Sequence, residues 1–248
     1  MNWLVIDTCT SVLGVAVMSA DTLLGERTTA QRRHHTERLL PAIDRLLQET
    51  ERTMSQIDGI AVTRGPGSYT GVRIGVTTAK TLAWSLDVPL IGISSLAALA
   101  ANGRSFNGYV VPMWDARRER VYTGCYQFAY TAMSEGQQMH LSPTCHLAER
   151  VTPLDAWIDE LARRTDGPCL FLGDGAKAYR ASIAAQLGER AFFASALDDT
   201  VRPAAVGLLA IEKWRVNGSD DVHRFAPNYL QATEAERNWN RQNRASKN

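Results

Sequence analysis

The stretch from Val62 to Lys80, VTRGPGSYTGVRIGVTTAK, constrains the fold more than any other part of the chain. It begins as the end of a strand, passes through a tight Gly-Pro-Gly loop, and continues as a helix to about Leu86. One face of this helix has the spacing of a core stripe, at Val72, Val76, Ala79, Ala83 and Leu86. A second stripe of mostly small residues runs beside it, at Gly71, Gly75, Thr78 and Leu82.

The two glycines of the second stripe lower the stability of the helix, and a favourable contact must compensate for that loss. A glycine inside a helix costs about 1 kcal/mol relative to alanine, and the dense contact of a closely approaching helix supplies that compensation. The neighbour is either a helix of the same domain, for example 39–47, or another protein. We expect the stripe to dock a partner, while packing within the domain remains the alternative.

The order of predicted elements indicates an α/β protein with two lobes. Three short strands, helix 34–51, strand 57–63, helix 70–86, strand 89–93 and a short helix make a lobe over 1–103. The turn-rich segment NGRSFNG opens a second lobe, 104–201, with strands, a helix at 153–164, strand 169–172 and a helix at 175–187. The late helix 202–217 is expected to join the first lobe. The tail 234–248 is polar and is predicted to be frayed.

Composition excludes several classes of protein. The chain has 248 residues and a formal net charge of +1, so no overall field draws it to nucleic acid or to a membrane surface. No stretch approaches the roughly 20 apolar residues of a membrane span, and we expect a cytoplasmic protein. The four cysteines form no C-x-x-C pair, which argues against a zinc site and favours buried reduced thiols.

Two turns could meet a phosphate. Asp7 and Thr8 follow the first strand, where an acidic residue and hydroxyls can orient a metal-bound phosphate. A plain hairpin turn, in which Asp and Thr bond to their own backbone, explains them better. The turn Gly173-Asp174-Gly175 joins a strand to a helix and is a weak candidate of the same kind. The Gly65 loop meets neither nucleotide fingerprint, because Val72 and Arg73 follow Gly71 and Thr70 stands at the third glycine position of a dinucleotide loop.

A metal site is not predicted. His34 and His35 are adjacent, whereas a helical zinc site needs histidines four residues apart with a third ligand. Helix capping or a hydrogen-bonded surface explains this pair better.

Several segments in this order resemble the TsaB family, also called YeaZ, of bacterial tRNA-modification proteins. They are IDTCTSVLGVAV, HHTERLLPAI, IAVTRGPGSYTGVRIGVTTAKTLAW, PLIGISSLAALA, DARRERVYTGCY and FLGDGA. The resemblance covers about residues 1–230, and the GPGSYTGVRIG block is its most specific part. It implies an actin-like, sugar-kinase-like (ASKHA) fold of two related lobes, each a mixed sheet with helices.

The resemblance also implies a function. The chain would be a non-catalytic partner of TsaD, acting with the ATPase TsaE to make threonylcarbamoyladenosine beside the anticodon of tRNA. ATP, metal and threonylcarbamoyl-adenylate would bind at the partner subunits, with no cofactor on this chain, and tRNA would be met through the complex. Family members also form homodimers through their first two helices, here about 35–51 and 70–86. The implied partner interface consists of His35, Arg38, Gly71, Gly75, Thr78 and Leu82, whereas Asp7, Thr8 and the Gly173 turn would be vestiges of a phosphate site.

Three alternatives remain. An ATP-dependent enzyme of the sugar-kinase type would use Asp7, Thr8 and the turn 173–175 to hold phosphates and magnesium. A glycoprotease-like metallopeptidase would use His34 or His35. The arginine-rich turn 115–120, DARRER, could bind tRNA directly, although a solvated or salt-bridged turn is the plainer interpretation.

Overall fold

A computed structural model of the chain describes residues 1–20, 22–30, 34–132 and 139–231. The first half forms a five-stranded sheet in the order β3-β2-β1-β4-β5 with helices beside it. Its elements are β1 (Asn2–Asp7), β2 (Leu13–Ser19), β3 (Thr22–Thr29), α1 (His35–Glu49), β4 (Gly59–Thr63), α2 (Tyr69–Leu86), β5 (Leu90–Ile93) and α3 (Ser95–Ala100). The strands β1, β4 and β5 are parallel, and β2 lies antiparallel to both β1 and β3.

The second half repeats this pattern in a sheet of order β8-β7-β6-β9-β10. Its elements are β6 (Tyr109–Asp115), β7 (Arg120–Ala132), β8 (Met139–Pro153), α4 (Leu154–Arg164), β9 (Cys169–Leu172), α5 (Asp174–Ala178), α6 (Arg180–Leu187), β10 (Ala191–Phe193) and α7 (Pro203–Asn217). The predicted α/β architecture of two mixed sheets is confirmed. The single helix predicted over 175–187 is wrong, because Tyr179 leaves helical geometry and divides it in two. The three-residue strand β10 was not predicted.

The central strands are apolar on both faces because both faces of the first sheet are covered. Leu4 and Ile6 of β1 point towards α1 and α2, in a core with Ile43 and Val76. The alternate residues of β1 are Trp3 and Val5, and they belong to the core on the opposite face. The alternation of side chains along a strand therefore divides β1 between two cores.

The helix α7 packs on the first sheet although it follows the second sheet in sequence. Trp214 meets Trp3 edge to face, with 5.6 Å between ring centroids. A Cβ atom at Gly207 would lie 2.2 Å from Sδ of Met18, so the helix and sheet approach closely here. The same apolar core includes Val110 of β6, and it therefore joins both sheets. The lobe limits at residues 103 and 201 stay predictions.

Three of the four cysteines are buried free thiols, whereas Cys145 is exposed. The expectation of burial is wrong for Cys145, which lies on the edge strand β8. Within the described ranges, no helix is both long and apolar enough to cross a membrane. The predicted polar tail at 234–248 lies outside the described residues.

Candidate functional site

The turn between β1 and β2 is buried at its start, whereas Ser11 is exposed. The residues Asp7 and Thr8 are 0% and 1% exposed. One carboxylate oxygen of Asp7, Oδ1, accepts a hydrogen bond of 2.5 Å from Oγ1 of Thr63 and one of 3.1 Å from the backbone N–H of Cys9. The hydroxyl of Thr8 donates to the carbonyl oxygen of Gly71 at 2.7 Å. These groups are therefore committed to partners within the chain.

Burial sets the electrostatics of this turn. It raises the pKa of the Asp7 carboxyl above its ordinary value, and the bonds from Thr63 and Cys9 oppose that rise only in part. The other oxygen of Asp7, Oδ2, is buried without a hydrogen-bond partner. Burial and the nearby Asp7 carboxylate raise the pKa of the Cys9 thiol well above its ordinary value, so this thiol stays protonated and weakly nucleophilic.

The glycines of α2 face this turn. A Cβ atom at Gly71 would lie 2.1 Å from the backbone oxygen of Thr8, and one at Gly75 would lie 2.4 Å from Oγ1 of Thr8. Both glycines are buried. The prediction that Gly71 and Gly75 form a docking stripe for a partner is therefore wrong. They pack within their own lobe, as the alternative proposed, but against the β1–β2 turn rather than against α1.

The loop between β4 and α2 packs against the β1–β2 turn. The backbone N–H of Ser68 donates to the carbonyl oxygen of Cys9 at 2.7 Å. A Cβ atom at Gly67 would lie 2.0 Å from that same oxygen. Gly65 has a φ of 104°, a conformation that favours glycine, and a Cβ there would lie 2.6 Å from the carbonyl oxygen of Asn228. Ser68 caps α2, because its side chain accepts a hydrogen bond from the N–H of Gly71.

The turn at 173–175 lies on the second sheet, with partners of its own. The N–H of Gly173 donates to Asp199 at 2.9 Å, and a carboxylate oxygen of Asp174 accepts from the N–H of Asp115 at 2.9 Å. Burial, together with the nearby carboxylates of Asp115 and Asp199, raises the pKa of Asp174. A Cβ atom at Gly175 would lie about 3 Å from backbone atoms of β6. The two phosphate-turn candidates therefore lie on different sheets, one at the end of β1 and the other after β9, and each has hydrogen-bond partners within the chain.

The two adjacent histidines that the sequence analysis weighed as metal ligands lie at the start of α1. A ring nitrogen of His35, Nε2, lies 2.9 Å from the carbonyl oxygen of Thr10, so His35 ties α1 to the β1–β2 turn. His34 lies 3.2 Å from Glu37 at the start of the helix. Arg38 is half-buried and lines a hollow of about 440 Å³ with Pro41. Across the described ranges, no group of three or more His, Cys, Asp or Glu residues could hold a metal ion.

The arginine-rich turn 115–120 is exposed and folds on itself. The carboxylate of Asp115 accepts hydrogen bonds from the N–H of Arg117 and the hydroxyl of Tyr179, at 2.8 and 3.0 Å. Arg117, Arg118 and Glu119 all have positive φ. The turn is thus ordered by hydrogen bonding within itself and by one bond from Tyr179, and it has acidic as well as basic side chains.

The outer faces of α1 and α2 expose apolar side chains that the sequence analysis did not select. Leu40 is 53% exposed on α1 and Trp84 is 66% exposed on α2. Thr78 and Leu82 are half-buried between the core and this outer face. The signal for Trp84 was its place in the sequence, because this large aromatic follows Ala83 and lies off the core stripe.

Comparisons with known proteins agree with this architecture. The model of the family described as "TsaD: tRNA N6-adenosine threonylcarbamoyltransferase" matches residues 22–239. The chain is 41% identical to the tRNA threonylcarbamoyladenosine biosynthesis protein TsaB of Bacillus subtilis, over 96% of this chain and 98% of that protein. It is 35% identical to the Escherichia coli protein of the same name, over 56% of this chain and 60% of that one.

Solved structures of other proteins share this fold. A Pseudomonas aeruginosa structure, described as an uncharacterized protein with similarity to peptidase YEAZ, has a TM-score of 0.74 and 29% identity, covering 93% of this chain and 99% of that one. The ROK hexokinase of Thermus thermophilus has a TM-score of 0.50 at 11% identity, covering 87% of this chain and all of that one, which supports the sugar-kinase-like fold alone. The match along nearly the whole Bacillus protein distinguishes TsaB from the broader TsaD family model. The chain belongs to the TsaB (YeaZ) family.

Proposed function

We propose that this chain works in tRNA threonylcarbamoyladenosine biosynthesis as a non-catalytic subunit that docks a TsaD-like catalytic subunit. The docking surface consists of the outer faces of α1 and α2. ATP, metal and threonylcarbamoyl-adenylate bind at the TsaD-like subunit and a TsaE-like ATPase, and tRNA is met through the complex. A second copy of this chain occupies the same surface when the catalytic subunit is absent.

The burial of Asp7, Thr8 and Cys9, where β1 enters the β1–β2 turn, supports the non-catalytic role above all. A sugar-kinase-like enzyme needs this turn open, so that its hydroxyls and amides can meet a phosphate. Here the hydroxyl of Thr8 donates a hydrogen bond to the carbonyl oxygen of Gly71, and the backbone oxygen of Cys9 accepts one from the N–H of Ser68. The start of α2 occupies the space above the turn, which is why the glycines at 67 and 71 are needed.

The composition of the outer faces supports docking. Exposed large apolar side chains favour a protein partner when they lie on adjacent elements that one partner can cover together, whereas isolated ones are common on any protein surface. Leu40 and Trp84 meet this description, on two helices that share one core against the first sheet. The exposed threonines at 77 and 81 are small, and they allow a partner helix to approach closely.

Binding between purified subunits tests the proposal. The chain is co-expressed with the TsaD-like protein of the same organism, and the complex is measured by size-exclusion chromatography and calorimetry. We expect Leu40→Asp and Thr77→Arg each to weaken the complex at least tenfold, because each places a charge on the contact surface. Leu197→Asp is the matched control, since Leu197 is 84% exposed on the second half of the chain.

Two results would overturn the proposal. One is an unchanged affinity in both surface variants, with melting temperatures like that of the unmodified chain. The other is formation of threonylcarbamoyladenosine by this chain alone, when it is supplied with tRNA, ATP, threonine and bicarbonate.

A further inference from the structure

A groove runs between α2 and the segment that follows α7. It has a volume of about 460 Å³, and Val76, Trp84, Phe225 and Pro227 contribute to its lining. One wall is the helix proposed above as a docking element. The other wall is the segment 222–227, which the sequence analysis left without a role.

The second wall is held firmly against the first lobe. Phe225 is 7% exposed, and its ring lies where a Cβ atom at Gly92 would be only 2.6 Å away. The ammonium of Lys80 donates to the carbonyl oxygens of His223 and Phe225, at 2.8 and 3.2 Å. The N–H of Asn228 donates to the carbonyl oxygen of Arg64 at 2.7 Å. The groove is therefore formed before any partner arrives, which lowers the entropy cost of binding.

The rim of the groove has the features of a binding hot spot. Trp84 stands at one side with two thirds of its surface in water, and tryptophan is the residue type most enriched at interface hot spots. Ala226 is exposed on the opposite wall, and its small side chain leaves the groove open. An apolar side chain entering here would cover the exposed face of Trp84.

The charges beside the groove favour an acidic neighbour for that side chain. Among the described residues, the hydrogen-bond acceptors of Lys80 are backbone carbonyls, which carry no net charge to neutralise the ammonium. Arg224 extends from the same wall with its side chain 91% exposed, 3.7 Å from Asp221. A partner carboxylate at this rim would be attracted to the ammonium of Lys80, which lines the groove.

We propose that this groove receives an apolar side chain, flanked by a carboxylate, from the TsaD-like subunit. The docking surface then extends from α2 onto the segment 222–227, and Trp84 anchors it. This inference rests on the proposed function, and it adds the site and the chemistry of the partner segment that fits there.

Calorimetric titration of the full chain with the TsaD-like subunit tests the groove. We expect Trp84→Ala to weaken binding at least tenfold, because the indole would no longer be covered. Ala226→Trp should weaken binding to a similar extent, since it fills the groove without removing any contact of the free chain. Lys80→Gln should reduce the dependence of affinity on salt. Val216→Ala is the control, because Val216 is 79% exposed away from the groove.

The outcomes separate the two proposals. If Leu40→Asp abolishes the complex while Trp84→Ala and Ala226→Trp bind as tightly as the unmodified chain, the groove is not part of the interface and only this inference fails. If the unmodified chain does not bind the catalytic subunit, the proposed function fails as well. If the groove variants disrupt only a homodimer, or if deletion of 232–248 alone changes the accessibility of Trp84, the occupant is a second copy or the tail, and the inference is overturned.

Discussion

The hydroxyl of Thr8 donates a hydrogen bond of 2.7 Å to the carbonyl oxygen of Gly71, and this bond joins the β1–β2 turn to the first turn of α2. It is buried, because Thr8 is 1% exposed. A buried bond between a turn and a helix fixes the position of that helix on the sheet. The same contact that closes the turn to phosphate therefore positions α2, the helix on which both proposals depend.

Alanine at Gly75 is expected to destabilise the chain through Thr8. The new Cβ atom would lie 2.4 Å from Oγ1 of Thr8, and overpacking of this kind costs about 1–3 kcal/mol. The better helix propensity of alanine offsets about 1 kcal/mol of that cost. Denaturant unfolding of Gly75→Ala, Thr8→Ala and the double variant measures the coupling. We expect the Gly75 change to cost less when Thr8 is already alanine, and strictly additive effects would contradict this.

Alanine at Gly71 is expected to destabilise the chain more than alanine at Gly75. Its Cβ atom would lie 2.1 Å from the backbone oxygen of Thr8, which cannot rotate away as a hydroxyl can. The free energy of unfolding, measured for both variants in the same denaturant series, tests the order. A larger loss of stability in Gly75→Ala than in Gly71→Ala would contradict this order. Neither glycine can be replaced by leucine to test docking, because the change would disturb the fold itself.

Asp7 is expected to make stability fall as pH rises. Burial raises its pKa in the folded chain, so the folded state binds this proton more tightly than the unfolded state. The resulting stability is fully present below the ordinary pKa of 3.8 and is lost as pH rises through the folded value. Each unit of the rise corresponds to about 1.4 kcal/mol.

The variant Asp7→Asn isolates this effect, because its amide stays neutral and its oxygen can still accept from Thr63. Its melting temperature relative to the unmodified chain should increase from pH 4 upwards and then level off. Asp159→Asn, at an exposed position, controls for the change in net charge. A difference between Asp7→Asn and the unmodified chain that is constant with pH would refute the prediction.

Asp220 is expected to hold the wall of the groove in place. Its carboxylate accepts from the ammonium of Lys213 and from the N–H of Gly92, with 2.8 Å and 2.7 Å to the same oxygen. Removing a partly buried, charge-assisted acceptor costs about 1–3 kcal/mol. In Asp220→Ala we expect trypsin to cleave faster after Arg224, while Glu189→Ala serves as a surface control. Equal cleavage rates would show that Phe225 alone retains the segment.

ATP is expected to bind the isolated chain only weakly, because the start of α2 occupies the space beside the β1–β2 turn where a phosphate would bind. Calorimetry with ATP and magnesium should give no heat of binding at micromolar concentrations. Asp7→Ala serves as the comparison, since a nucleotide held at this turn would lose affinity in that variant. Micromolar binding that disappears in Asp7→Ala would support the sugar-kinase alternative instead.

The sequence was sufficient for the type of fold and for most of its elements. Strand 169–172 and helix 70–86 were predicted within a residue of their limits, because strong apolar periodicity is a local property. The strand β10 was missed because three residues have no period, and the break at Tyr179 was missed because no proline or glycine marks it. The family resemblance depended on several segments in order, of which 65–75 was the most specific.

The face of a helix that a partner contacts, unlike apolar periodicity, is not a local property of the sequence. The sequence determined by itself that α2 has two special stripes and that the glycines at 71 and 75 need a close neighbour. Only the tertiary structure decided that this neighbour is Thr8 within the same lobe, and that Trp84 and the segment 222–227 form the open surface. The physical reason is that a missing side chain signals close approach without signalling what approaches, since that depends on how distant strands and helices are placed around it.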